Sequence, residues 1–217
     1  MSMSFENLNN YEIDVLREIG NIGAGNAATA LAKMINKKVD MEVPEVKVME
    51  FREVNEMFGG AELPVVGILL KMTGDLTGSI MLILENTAAR ILVNMLMGKS
   101  NEKSKHNSEE NDEINCMFDE IEMSALKELG NILAGSYISS LSTLTGLNIL
   151  PSVPDIAIDM AGAIISVPAI EFGKISDSVL YIETVFIEGE TRALGDFFLV
   201  PDLDSYEVLL RALGVIS

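Results

Sequence analysis

EIDVLREIGNIGAGNAATALAKMINKKVDMEVPEV, residues 12–46, returns 110 residues later as EMSALKELGNILAGSYISSLSTLTGLNILPSVPDI, residues 122–156, with 11 identities in 35 aligned positions. Coincidence does not produce such agreement, and the period is far longer than the roughly 20 to 50 residues of solenoid repeats, so the chain reads as a duplicated half-domain. Each copy predicts one long helix of about 26 residues from its cap chemistry. Asn9 with Glu12, and Asp119 with Glu122, have the N-cap-then-Glu spacing of a capping box. At the other end Asn36 and Gly146 both tolerate the left-handed conformation that closes a helix, and Lys37 and Lys38 suit the negative end of the first helix's dipole.

Working outward, each predicted helix is followed by the pattern of a small sheet. In the first copy VKVMEF, PVVGILLKM and SIMLIL read as strands, with a Gly/Asp turn at 73–78 and a short helix at 87–97. In the second, an apolar run beginning near Ile156, then VLYIETVFIEG, a turn near Glu190, and GDFFLV repeat the order, with a helix at about 204–213. The stretch 99–113 has three Lys, five acids and no aliphatic residue, so it reads as a linker between half one (1–98) and half two (114–217). About 100 residues make a thin core with exposed sheet edges. The expected fold is therefore α/β (α+β), a single domain in which pseudo-twofold half-domains join edge to edge in one largely antiparallel sheet.

Composition removes several functions. With 15 Lys+Arg against 33 Asp+Glu the net charge is −18, a deficit of the cations that nucleic-acid backbones require. One Cys (Cys116) and one His (His106) argue against disulfides, zinc sites and His-based triads; Cys116 reads as a small buried hydrophobe and His106 as a solvated linker residue. The longest uncharged stretch, 129–154, carries two prolines and many polar residues and is not a membrane span. The amino terminus has no basic segment leading into an apolar core, so a cytosolic location is expected.

On a helical wheel at about 100° per residue, Asp14, Glu18 and Asn21 share one stripe, opposite a core stripe of Ile13, Leu16, Gly20, Gly23, Ala27, Leu31 and Met34. Ser124, Glu128 and Asn131 repeat the arrangement, with Met123, Leu126, Gly130, Leu133, Tyr137, Leu141 and Leu144 turned inward. One turn past each Asn, Gly25 and Gly135 sit on the outward stripe, where a glycine costs about 1 kcal/mol relative to alanine, so close approach of another molecule is expected there. Gly20 and Gly23 read as close packing of helix on sheet. GNIGAG is not a phosphate loop, since it lies inside a helical pattern with no preceding strand and no Lys-Ser/Thr. Asp14 and Glu18 alone are too few ligands for a metal site on an open helix face.

Asp14-x3-Glu18-x2-Asn21-x22-Pro44 and Ser124-x3-Glu128-x2-Asn131-x22-Pro154 fit the pattern [DS]-x3-E-x2-N-x22-P, and on these residues the chain resembles the CheC/CheX/FliY chemotaxis phosphatase family. Two intact copies in a chain of this length resemble its CheC branch. The resemblance implies hydrolysis of the aspartyl phosphate on the response regulator CheY. Asn21 and Asn131 would orient the attacking water, and Glu18 and Glu128 would dock the receiver. Asp14 and Ser124 would shape the contact edge, and Pro44 and Pro154 would set the helix-to-strand path. It further implies no cofactor in this chain, Mg²⁺ held by the receiver, and the deamidase CheD as a second partner. Val208, Leu209 and Leu213 are candidates for the CheD surface, with core packing as their other use. Two alternatives stand beside the phosphatase: a binding-only regulator of CheD or CheY-P, and a structural switch component like FliY.

Overall fold

A computed structural model describes residues 10–50, 53–58, 60–99, 118–172 and 178–214. Cys116, His106, Asn9 and the rest of the linker past Lys99 lie outside the described residues, as does the side chain of Glu12. Both long helices have the expected length of 26 residues: α1 (Asn10–Ile35) and α4 (Glu120–Thr145). The second opens with a complete capping box, in which the Asp119 carboxylate accepts from the amides of Ile121 and Glu122 while Glu122 reaches back to the Asp119 amide. Both close in left-handed geometry, at Asn36 (φ 52°) and Gly146 (φ 72°).

After α1 come β1 (Asp40–Glu42), β2 (Val46–Glu50), α2 (Val54–Met57), β3 (Pro64–Gly74), β4 (Gly78–Glu85) and α3 (Asn86–Leu96). After α4 the same order returns as β5 (Ile149–Pro151), β6 (Asp155–Met160), α5 (Ala161–Phe172), β7 (Ser178–Glu188), β8 (Thr191–Pro201) and α6 (Leu203–Ala212). The helix α2 lies in a run the sequence reading left unassigned, and α5 corrects its reading of the apolar run beginning near Ile156 as strand.

The strands form one antiparallel sheet in the order β1-β7-β8-β4-β3-β5, with β2 also on β7 and β6 also on β3. Edge-to-edge joining is present at β4 and β8, where Ile80 lies opposite Leu199. The halves are also exchanged, which simple edge joining did not anticipate. The first copy's β1 and β2 pair with the second copy's β7, and β5 and β6 pair with β3 of the first. Each hairpin thus has its outer edge covered by strands of the other copy, which removes exposed ladder groups from both.

Strand residues alternate between two buried faces, so the central strands read as nearly continuous apolar runs. Val66, Ile68, Leu70, Ile80, Leu82, Phe197 and Leu199 face the core under α1, α3, α4 and α6. Val65, Met81, Ile83, Phe198 and Val200 face a second core, which Val54 of α2, Phe58 just past it, and Ala161, Ile164 and Ile165 of α5 complete. Leu209 of α6 is fully buried, so it belongs to the core and not to a partner-binding strip.

Four helix assignments need correction. Met34 and Leu144 are 43% and 49% exposed, because the buried stripes end one turn earlier at Leu31 and Leu141. Gly23 faces α4 and not the sheet: a Cβ there would stand 2.5 Å from Cδ1 of Tyr137. At Gly20 the nearest atom would be Val43 Cγ1 at 3.5 Å, an ordinary contact, so close approach to the sheet does not require glycine at that position. Its repeat partner Gly130 does need it, with Ile68 Cγ2 at 2.5 Å.

Candidate functional site

Two helices packed side by side must each spend one face on the sheet and one on the other helix, and only the remaining face can meet a partner. On α1 the sheet side is taken by Leu16, Ala27 and Leu31, and the α4 side by Gly23, which receives the Tyr137 ring, and by Asn26, whose amide reaches the Ser140 hydroxyl at 3.3 Å. Tyr137 is fixed in turn by its hydroxyl contact with Thr184 (3.2 Å) and by Phe197, with ring centroids 4.6 Å apart. Gly23 lies about 200° around the helix from Asn21, so the Asn face is directed away from the helix pair.

On that third face the structure places Asp14, Glu18 and Asn21 together and exposed, and the repeat places Ser124, Glu128 and Asn131 likewise. Among the described residues neither Glu18 and Asn21 nor Glu128 and Asn131 makes a side-chain hydrogen bond or ion pair. Each Glu and Asn are three apart on a helix, neighbours on its surface, and both project into solvent.

The flanking positions differ between the copies. Asp14 is held by Arg17 at 2.6 Å, whereas the Ser124 hydroxyl donates back to the Glu120 carbonyl at 2.8 Å and Lys127, the counterpart of Arg17, has no such acid beside it. Gly25 and Gly135 meet nothing within 4 Å of where a Cβ would stand, so no packing among the described residues explains either glycine. Thr29 donates to the Gly25 carbonyl at 2.9 Å, completing a smooth, bare stretch of α1 beyond Asn21. Pro44 is exposed and Pro154 buried, so the two motif prolines are not equivalent.

Beside the second pair lies a groove of about 430 Å³ lined by Lys127, Glu128 and Asn131 on one side and by Pro151, Val153 and Pro154 on the other. Val153 and Pro154 fall inside the aligned repeat, but nothing in the sequence marks them as walls of a groove, since side-chain direction in a loop leaves no periodic signal. Among the described residues no three His, Cys, Asp or Glu side chains gather where they could hold a metal, and no helix is long and apolar enough to cross a membrane.

The duplicated fold thus presents two outward carboxylate and carboxamide pairs on paired helices. The model of the CheC-like family matches residues 12–48 and 121–158, which contain the two motif copies from Asp14 to Pro44 and from Ser124 to Pro154. The chain is 41% identical to the CheY-P phosphatase CheC of Bacillus subtilis over 97% of both proteins. It is 31% identical to the flagellar motor switch phosphatase FliY of the same organism, over 69% of this chain and 36% of that one. Among solved structures, Thermotoga maritima FliY superposes with a TM-score of 0.73 at 25% identity, covering 96% of this chain and 98% of that one. The chain belongs to the CheC-like family.

Proposed function

We propose that this protein hydrolyses the aspartyl phosphate of the response regulator CheY in a site that each helix completes together with the receiver. One observation carries the reading: Glu18 with Asn21 and Glu128 with Asn131 occupy repeat-equivalent, exposed positions and make no side-chain hydrogen bond or ion pair among the described residues. The Bacillus relative named a CheY-P phosphatase matches this chain nearly end to end, which supports the same activity here.

A carboxamide both donates and accepts hydrogen bonds, so Asn21 or Asn131 can hold a water in line with phosphorus without acting as a strong base. The water oxygen forms the new bond to phosphorus, the bond to the receiver's aspartate breaks, that carboxylate leaves with its electron pair, and the proton the water gives up passes to an oxygen of the released phosphate. Phosphoryl transfer is governed by positioning and charge neutralisation, and the neutralising Mg²⁺ belongs to the receiver. Glu18 and Glu128, one turn away from the water-holding amides, dock on a receiver cation. Gly25 and Gly135 let the receiver lie against bare backbone. CheD is a second partner on this reading, and the setting is cytoplasmic.

With receiver charged by acetyl phosphate, the protein accelerates phosphate loss. Asn21→Ala or Asn131→Ala removes part of the acceleration, and the double variant returns the receiver to its own rate. A double variant with full acceleration places the chemistry elsewhere; a wild type that binds charged receiver without accelerating loss makes the protein a sequestering regulator.

A further inference from the structure

The loops beside the two sites carry the same Val-Pro pair between equivalent strand registers, yet they fold differently. Met41 lies opposite Phe186 as Pro151 lies opposite Met72, and Val46 lies opposite Ile182 as Ile156 lies opposite Ile68. Between these fixed points Val43 is half-buried against the main core, whereas Val153 is 83% exposed. The prolines do the reverse, with Pro44 exposed and Pro154 buried.

The cause is Ser152, which stands where the first copy has Glu42. The Ser152 hydroxyl accepts from the Lys71 amide at 2.9 Å and donates to the Val153 carbonyl at 2.9 Å, and the Ser152 amide donates to the Lys71 carbonyl at 2.8 Å. β1 therefore runs on through Glu42, opposite Val185, while β5 ends at Pro151. Three hydrogen bonds pin the second loop with its valine turned out, beside the groove that contains Glu128 and Asn131. An aliphatic side chain held in water at the rim of a polar site gains free energy only when something covers it.

We propose that Val153 is a docking contact of the second site, an aliphatic wall on which a side chain of the phosphorylated receiver packs as Asn131 enters the receiver's pocket. The first site lacks this contact because Val43 is turned under α1. The proposal rests on the phosphatase reading above and adds that the two sites grip the receiver differently.

The test isolates each site. In an Asn21→Ala background only the second site is intact, and Val153→Ser should raise KM for charged receiver roughly tenfold while leaving kcat within about twofold, the expectation for losing one buried aliphatic contact. Val153→Ile should restore KM, and the melting temperature should stay unchanged in both variants because the side chain is solvent-exposed. In an Asn131→Ala background, with only the first site intact, Val153→Ser should have no effect. An unchanged KM in the first background, an equal rise in both, or an Asn21→Ala protein with no activity to measure each overturns the proposal. Failure of the phosphatase reading itself is seen separately, as a wild type that binds charged receiver without accelerating phosphate loss.

Discussion

Replacing Gly25 and Gly135 by alanine should make this protein more stable and less active. Both glycines lie inside helices and on the outward face, and an added Cβ would meet nothing within 4 Å among the described residues. Alanine restricts the unfolded backbone and is favoured in a helix interior by about 0.8–1.0 kcal/mol over glycine. The two sites are on different helices and share no contact, so the gains should add to about 2 kcal/mol, a rise of roughly 4–8 °C in melting temperature for a chain of this size. If the glycines are there to admit the receiver, the two methyl groups stand in its path, and dephosphorylation of charged receiver should fall. The control is Gly23→Ala, whose Cβ would stand 2.5 Å from Tyr137 Cδ1 between the helices and should cost about 1–3 kcal/mol of stability. Circular dichroism melts and a phosphate-release assay read both quantities on the same samples. Stabilisation with undiminished activity would refute the close-approach argument, and destabilisation would refute the exposure on which it rests.

Asp196 is buried, and burial together with the nearby Glu183 and Glu85 charges outweighs its hydrogen bond from Tyr181 (2.8 Å), pushing its carboxyl up from 3.8 to about 6. Between those two values the folded state binds more protons than the unfolded state, so stability falls as pH rises across that window. Asp196→Asn retains an acceptor for Tyr181 and should add about 3 kcal/mol at pH 7 and nothing near pH 3, measured by urea unfolding across pH. Glu122 behaves oppositely: desolvation would raise its carboxyl, but hydrogen bonds from Arg90 at 2.7 Å and Lys99 at 3.1 Å prevail and hold it below its usual value. Glu122→Gln should cost about 1.5–3 kcal/mol at neutral pH, a deficit that shrinks as pH drops below the ordinary glutamate range.

Much of this structure was legible in the sequence because it rests on local chemistry. Asp119 with Glu122 and the left-handed closers Asn36 and Gly146 mark helix ends by what their own side chains and backbones can do. The outward placement of Glu18, Asn21, Glu128 and Asn131 followed from helical spacing alone. The helix α5 was not legible, since AGAIISVPAIEF is apolar all round, contains Pro168, and so resembles a continuation of β6. The strand exchange was hidden because pairing of β2 with β7, or of β6 with β3, depends on which edge a hairpin offers and not on any period within the strands. The opposite orientations of Val43 and Val153 arise from the exchange of Glu42 for Ser152, whose effect appears only once Lys71 of β3 is seen beside it.

The most direct measurement is the rate of phosphate release from acetyl-phosphate-charged CheY with wild type, Asn21→Ala, Asn131→Ala and the double variant at equal concentrations. Partial loss in each single variant and the receiver's unaided rate in the double would establish that the two exposed amides are the working groups. Acceleration that persists when both are gone would show that the helical ridges are not where the phosphate is lost.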